Sequence, residues 1–257
     1  MKKIKFLPVL TALAVGLGLL FLTAQPTLAA KKTVTFGATG TSFPTAYKKD
    51  GKLVGFDVEV ANKIAKRLGY QTKWVTADFD GLFGSIDNEK IDTIPNDVAI
   101  TPERKQTYLF SAPYNYEPTA VAVQKDAKFK TVKDLEGHKV AGGLASNNTK
   151  SLKKYDSKID VVTFETRDQT FQALTSGHVD GVVNTRPILK ALIREKNLPW
   201  KVVSGTVANT KIAFPFKNDA RGKKLQKQFN SELKQLYKDG TLAKLSIKYF
   251  GYDTTKS

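Results

Sequence analysis

Residues 55–97, "GFDVEVANKIAKRLGYQTKWVTADFDGLFGSIDNEKIDTIPND", alternate between helical and strand patterns and so set the fold class. Residues 55–69 predict a helix, because apolar side chains recur on one face and Gly69 would end it. The next segments predict a strand at 71–77, a short helix at 80–89 and a buried strand at 90–95. With the strand predicted at 31–40, this order indicates an α/β layer with a mostly parallel sheet. The apolar face of the first helix consists of Val58, Ala61, Ile64, Ala65 and Leu68.

A second series of alternating elements begins near residue 131 and ends near 196. Two such series favour two α/β lobes over a single domain. The last segment, 223–251, predicts two helices separated at Asp239 and Gly240. Ligands of parallel sheets collect at the carboxyl ends of the strands. The loops at 37–44, 76–82 and 95–101 should therefore lie near a binding site.

The N-terminus has the layout of a secretory signal peptide. "MKKIK" is basic, residues 6–24 form an uncharged apolar run, and "TLAA" at 27–30 supplies small residues for cleavage after Ala29 or Ala30. The alternative is a retained membrane anchor, since the run is nearly long enough to span a bilayer. We predict a signal peptide over residues 1–30 and an exported protein.

The chain contains no cysteine, which excludes disulfides, cysteine-ligated metals and thiol catalysis. It also excludes the lipid-modified cysteine that tethers many exported proteins. The net charge is +17, and it stays at +14 without Lys2, Lys3 and Lys5 of the predicted signal. Such a charge attracts polyanions, among them anionic cell-wall polymers. Nucleic acid is not expected, because the protein is exported and carries no aromatic-interleaved basic motif.

The chain offers little for catalysis. Its two histidines, His138 and His178, both follow glycines in predicted turns. No nucleophile elbow, phosphate-binding glycine loop or metal-ligand spacing is present. We therefore predict no enzymatic activity, no cofactor and no metal site.

The segment "PNDVAITPER" at 95–104 fits ligand binding better. Thr101 and Pro102 predict a helix start, and Arg104 lies in the first turn, where the helix already presents positive potential. An arginine there could hold a carboxylate through two parallel hydrogen bonds, with Asp97 as an acceptor nearby. The alternative is a solvated arginine and an aspartate paired with any lysine. Ser146 and Asn147 could add donors at another helix start, although that signal is weak.

Several blocks resemble the bacterial extracellular solute-binding proteins of family 3, the polar amino-acid receptors of ABC importers. They are "GFDVEVANKIAKRLG", "ITPERKQTYLFSAPY", "DLEGHKVAGGLASNN", "FQALTSGHVDGVV" and "LKQLYKDGTLAKLSIKYFG", in the family's order. The resemblance implies a two-lobed venus-flytrap (periplasmic-binding-protein) fold, in which two hinge strands join lobes that close over a ligand. Lobe one would comprise 31–118 and 213–257, and lobe two 119–212. It also implies a monomer that docks on a membrane permease.

The resemblance assigns roles by position. Arg104 matches the arginine that binds the ligand α-carboxylate, Ala99 a backbone N–H that assists, and Phe79 an apolar wall of the side-chain pocket. Ser42 stands where an aromatic residue is usual, with Phe43 beside it as a substitute. Ser146 and Asn147 match donors from the second lobe.

The departure from the family pattern is at Thr185, next to Asn184, where an aspartate that binds the ligand ammonium is expected. Either Asp97 supplies that charge from the other lobe, or the ligand lacks a free ammonium. We favour Asp97.

The overall similarity favours cystine among the polar amino acids. The basic, cysteine-free chain favours the surface of a Gram-positive bacterium, with the periplasm as the alternative. Two other functions stay open: a surface adhesin of the same fold held to the wall by charge, and an enzyme resembling cyclohexadienyl dehydratase.

Overall fold

The predicted alternation of strands and helices is present in the computed structural model, which describes Met1 and residues 32–256. Lys31–Ser257 forms one unit, distinct from Met1–Ala30. The predicted signal peptide lies almost wholly outside the described residues. Of the helices in the described part of the chain, none combines the length and apolar character that a membrane crossing requires.

The helices are α1 Phe56–Arg67, α2 Phe79–Asp87, α3 Pro102–Thr107, α4 Asn147–Tyr155, α5 Arg167–Thr175, α6 Arg186–Lys196, α7 Ala220–Lys238 and α8 Thr241–Phe250, with a 3₁₀ turn at Val132–Leu135. The strands are β1 Thr33–Ala38, β2 Thr41–Ser42, β3 Ala46–Lys49, β4 Lys52–Val54, β5 Gln71–Thr76, β6 Tyr108–Phe110, β7 Asn115–Gln124, β8 Lys139–Gly143, β9 Asp160–Phe164, β10 Gly181–Thr185, β11 Trp200–Val202, β12 Ala208–Ile212 and β13 Pro215–Lys217.

The first half of the chain contributes a short parallel layer. β1 pairs with β5 in parallel, from Thr33 opposite Gln71 to Ala38 opposite Thr76. The segment predicted as a buried strand at 90–95 is not a regular strand. It touches β1 through a single parallel bridge between Phe36 and Thr93, because the chain turns away at Pro95.

The second half forms a mixed sheet in the order β11-β7-β10-β8-β9, with β12 also on β7. β8 is parallel to both β9 and β10, whereas β7 is antiparallel to β10, β11 and β12. Residues 115–119 of β7 pair with 208–212 of β12, close to the predicted lobe boundaries. Those boundaries stay a prediction.

An aromatic core holds α7 against β13 and also against β1, where Phe36 lies 6.3 Å from the Phe229 ring. Phe229 of α7 packs its ring edge on Phe214 and Phe216, with centroids 5.4 and 5.2 Å away. Tyr114 stacks on Phe214 at 4.4 Å. All of these rings are fully buried, and burying each contributes about 1.5–3 kcal/mol. The C-terminal helices, separated at Asp239 and Gly240 as predicted, thereby belong to the layer formed by the start of the chain.

Gly55, which precedes α1, has a backbone conformation that only glycine adopts comfortably. Its φ is +136°, and a Cβ there would lie 2.2 Å from the carbonyl oxygen of Thr45. We expect Gly55→Ala to destabilise the protein by about 2–4 kcal/mol, which thermal unfolding would report as a decrease of several degrees.

Gly69→Ala is the matched control, because Gly69 also has a positive φ but a Cβ there would meet nothing within 4 Å. Gly69→Ala should lower the free energy of unfolding by about 1 kcal/mol. Equal losses for the two variants would contradict the steric argument at Gly55.

Candidate functional site

A cavity opens where the carboxyl ends of β1, β5, β8, β9 and β10 meet, the place expected for a ligand in this class of fold. The cavity volume is about 150 Å³, roughly ten times what one buried water needs. A molecule the size of an amino acid fits. Its walls contain Thr39, Thr41, Ser42, Asp78, Phe79, Asp80, Asn96, Asp97, Ala99, Arg104, Gly143, Leu144, Ala145, Ser146, Asn147, Asn148, Glu165, Thr166, Arg167, Thr170, Val183, Asn184, Thr185, Thr210 and Ile212.

Arg104 is held in place by the local sequence around it. Thr101 caps α3 by accepting a hydrogen bond from the Arg104 backbone N–H at 3.2 Å, and Pro102 takes the first helical position, as predicted. Because α3 has only six residues, its first turn is nearly its last, so the electrostatic cost of a cation there is small. The Arg104 guanidinium reaches back to donate to the carbonyl oxygen of Ala99 at 3.0 Å.

The Arg104 guanidinium also lies over two aromatic rings. Its central carbon is 5.4 Å from the Phe79 centroid and 4.9 Å from that of Phe83, which are cation–π distances. Burial lowers the pKa of Arg104 from its usual range, yet an arginine stays charged. Within residues 32–256 no carboxylate oxygen lies within 4.0 Å of its nitrogens. A half-buried cation without a carboxylate partner, at the wall of a cavity, is suited to hold an anion.

The opposite wall is formed by the turn after β8 and the end of β10. Ser146 caps α4 by accepting from the Asn148 N–H at 3.2 Å, and Asn147 is the first helical residue. Asn184 is buried and accepts from the Thr185 N–H at 2.8 Å. The Thr185 hydroxyl is buried without a hydrogen-bond partner among the described residues.

Nine of the ten predicted site residues line the cavity, and Phe43 does not. The Phe43 ring packs on Tyr47 at 4.9 Å and against the core. Phe43 therefore does not line the cavity in place of the aromatic residue that is usual at position 42. Ser42 lines the wall instead, where its hydroxyl is 2.8 Å from that of Thr39. The binding roles of the nine lining residues stay predictions.

Asp97 is already neutralised by Arg167, a residue that the sequence did not identify. The Arg167 Nη2 donates to Asp97 Oδ2 at 2.9 Å, and the two side chains are 17% and 5% exposed. The other Arg167 nitrogen donates to the Phe43 carbonyl at 3.3 Å. Asp97 Oδ1 has no partner among the described residues. Asp97 therefore lines the cavity with its charge compensated.

Two further carboxyl groups, Asp57 and Glu117, lie buried near Asp97. Asp57 Oδ2 accepts from the Asp97 backbone N–H at 2.5 Å, and Glu117 Oε1 accepts from Asn115 at 2.5 Å. Burial, reinforced by the charge of Asp97, raises the pKa of Asp57 to about 8 and that of Glu117 well above its usual value. We call Asp57, Asp97 and Glu117 the buried acid cluster. The described residues contain no group arranged to hold a metal ion.

The sequence carried a faint signal for one of these residues. Glu117 interrupts "NYEPTAVAV" (115–123), an otherwise uncharged strand. A carboxylate in such a strand is expensive unless it is paired or protonated. Asp57, by contrast, looks like an ordinary acidic residue in the first turn of α1. Arg167 is the first residue of α5, and no pattern in the sequence identified it as a site residue.

We expect Arg167→Ala to lower the free energy of unfolding by about 3 kcal/mol, because it leaves the Asp97 charge buried and unpaired. Thermal unfolding of the ligand-free protein should show a decrease of about 6–12 °C. Lys158→Ala is the control, since it removes a cation that is 72% exposed and paired with Glu136 on the surface. It should leave the melting temperature nearly unchanged. A similarly small effect of Arg167→Ala would contradict the buried pair.

The stability of the ligand-free protein should fall as the pH rises from about 5 to 8. The pKa of Asp57 is about 8 in the folded protein against 3.8 for an unperturbed carboxyl. The folded state therefore binds more protons than the unfolded chain in this window, so raising the pH favours unfolding, by up to about 1.4 kcal/mol per pH unit for each such group.

Urea unfolding at pH 5, 6, 7 and 8 measures this slope. Asp57→Asn keeps an oxygen that can accept from the Asp97 N–H and should reduce the slope. The wild-type slope in Asp57→Asn would show that Asp57 is ionised in the folded protein.

Comparison with known proteins agrees with this fold. The profile of the bacterial extracellular solute-binding proteins, family 3, matches residues 34–252. The probable amino-acid-binding protein YxeM of Bacillus subtilis is 46% identical over 222 residues, which cover 85% of this chain and 84% of YxeM. The L-cystine-binding protein TcyJ of Escherichia coli K12 is 33% identical over 227 residues, with 87% and 85% of the two chains covered.

Among solved structures, one from work on glutathione import through GshT and the cystine ABC importer TcyBC of Streptococcus mutans superposes with a TM-score of 0.81. It is 29% identical, and the match covers 88% of this chain and 98% of that one. The two-lobed architecture and the sequence blocks thus agree across the whole region after the N-terminal segment. The chain belongs to family 3 of the bacterial extracellular solute-binding proteins.

Proposed function

We propose that this chain is the extracytoplasmic receptor of an ABC importer and binds a polar L-amino acid, with cystine favoured. The carrying observation is Arg104, a half-buried guanidinium at the cavity wall with no carboxylate partner within residues 32–256. An α-carboxylate is the anion that its fork fits. The names of YxeM and TcyJ support the class of ligand and the binding role.

The cavity walls come from both predicted lobes, which supports closure around the ligand. Arg104, Phe79 and Ala99 belong to the first, whereas Ser146 and Thr185 belong to the second. A ligand that contacts both would favour the closed form by its differential contacts. The closed form would dock on the permease. The net charge of +14 after removal of the predicted signal supports retention on an anionic Gram-positive wall.

Thermal shift of the protein lacking residues 1–30 against the L-amino acids and cystine tests the ligand class, because a ligand that binds only the folded state raises its melting temperature. Calorimetry then gives affinities. A protein that binds anionic wall polymer but shows no shift with any amino acid would be an adhesin. Turnover of prephenate or arogenate would indicate the dehydratase-like alternative.

We expect Arg104→Ala to weaken the binding of the amino acid by about 100-fold or more, because the ligand carboxylate loses a desolvated partner. Arg104→Lys should bind with an affinity between those of the wild type and Arg104→Ala, since lysine keeps the charge but lacks the planar guanidinium. Lys105→Ala is the matched control, as it removes a neighbouring positive charge that is exposed and outside the cavity. Equal affinities of Arg104→Ala and Lys105→Ala would contradict the assignment.

We also expect Asp97→Ala to cost far more affinity for an L-amino acid than Thr185→Ala. Asp97 is a carboxylate among the residues that line the cavity, whereas the Thr185 hydroxyl is neutral. Calorimetry on both variants measures the difference. An unchanged affinity in Asp97→Ala would refute the role of Asp97.

A further inference from the structure

The buried acid cluster has more carboxyl groups than nearby cations. Asp57, Asp97 and Glu117 come from α1, the loop before α3, and β7, and their side chains are almost entirely inaccessible to solvent. Arg167 is the cation paired with the cluster, through Asp97. Three ionised carboxylates with one arginine would leave two uncompensated buried charges. That is costly enough to keep protons on the cluster.

The hydrogen bonds indicate which oxygen atoms carry the charge and which the protons. Burial raises the pKa of Asp97, but Asp97 Oδ2 accepts from Arg167, which opposes that rise and favours the ionised form. Glu117 Oε1 accepts from Asn115, while Oε2 has no partner in residues 32–256. Oε2 is therefore where a proton on Glu117 would sit. In the empty receptor the cluster is then close to neutral, with Asp97 and Arg167 compensating each other.

Two residues that line the cavity lie beside this cluster. Asp97 and Thr185 are almost fully buried, and both lie close to the Glu117 carboxyl. Both can accept from an ammonium group. Such a group would bring one positive charge next to a cluster that has no net negative charge left to offset it. Loss of one proton from the cluster would restore the balance.

We propose that Glu117 holds a proton while the cavity is empty and releases it when the ligand ammonium binds beside Asp97 and Thr185. Glu117 thereby supplies, from the neighbouring strand, the negative charge that an aspartate at position 185 would have carried. The inference rests on the proposed function, since it requires a ligand with an ammonium group.

The surroundings of Glu117 favour it over Asp57 as the group that releases the proton. Thr185, which lines the cavity, lies near enough to Glu117 to oppose the rise of its pKa. Asp57 accepts a hydrogen bond from the backbone N–H of Asp97. Asp97 lines the cavity, whereas Asp57 does not. The charged or titratable groups that act on the cluster are Arg167 and Arg104, which favour ionisation, and Tyr114 and Tyr252, which lie close to it.

Titration calorimetry in buffers of different ionisation enthalpy counts the protons exchanged on binding. The ligand is the L-amino acid or cystine with the largest thermal shift in the screen above. For the wild type at pH 7 we expect release of about 0.5–1 proton per ligand, and an affinity that rises with pH between 6 and 8 by up to about tenfold per unit. A heat of binding that is independent of the buffer would overturn the inference.

Glu117→Gln tests the assignment to this residue. Glutamine resembles the protonated glutamic acid, so the ligand-free variant should melt near the wild-type temperature. It should bind about tenfold more weakly and release almost no protons. Glu89→Gln is the control, because the Glu89 side chain is 72% exposed and paired with Lys217 on the surface. It should behave as the wild type.

Proton release that persists in Glu117→Gln would overturn the assignment. Binding of an amino acid without proton release contradicts only this inference. The absence of binding by every amino acid contradicts the proposed function itself, so the two failures are distinguishable. The analogue of the ligand that lacks the amino group gives a further check, since any binding of it should occur without proton release.

Discussion

The ion pair between Asp97 and Arg167 is the interaction on which the geometry of the cavity depends. Arg167 Nη2 and Asp97 Oδ2 are 2.9 Å apart, and the same arginine donates to the Phe43 carbonyl, so one guanidinium joins α5 to two loops of the first half. The backbone N–H of Asp97 is in turn held by Asp57. A residue with a φ of +58° is thus held from both sides. The loop that leads to Ala99 and Arg104 takes its position from there.

The electrostatics of the site follow from how each charge is compensated. Arg104 lies against Phe79 and Phe83 and meets no carboxylate within residues 32–256, so its charge remains for a ligand. Asp97 is compensated internally by Arg167. Burial, and next the charge of Asp97, raise the pKa values of Asp57 and Glu117, which favours their protonated forms. Under the proposed function, Arg104 forms the anion site, and the buried acid cluster lies beside the part of the wall that would meet the ligand ammonium.

Sequence patterns predicted the elements well where periodicity and capping agree. The apolar spacing of α1, the Thr101–Pro102 start of α3 and the break at Asp239–Gly240 all have local causes, and all are present. Sequence patterns were less reliable where a side chain could point to either of two surroundings. Phe43 packs on Tyr47 instead of lining the cavity, and the segment 90–95 makes one bridge where a strand was expected. The bridge of the second segment depends on β1, which is distant in the chain.

The sequence by itself determined the α/β class, the family and nine of the residues that line the cavity, because these depend on local spacing and on motifs that are contiguous in the chain. Only the tertiary structure decided how the charges pair. Asp97 meets Arg167 across 70 residues, and it meets Asp57 across 40. Electrostatic free energies depend on distance and burial in space, and neither can be read from positions along a chain. For that reason the role of Glu117, one acidic letter in an uncharged strand, emerged only after folding placed it beside Asp97 and Thr185.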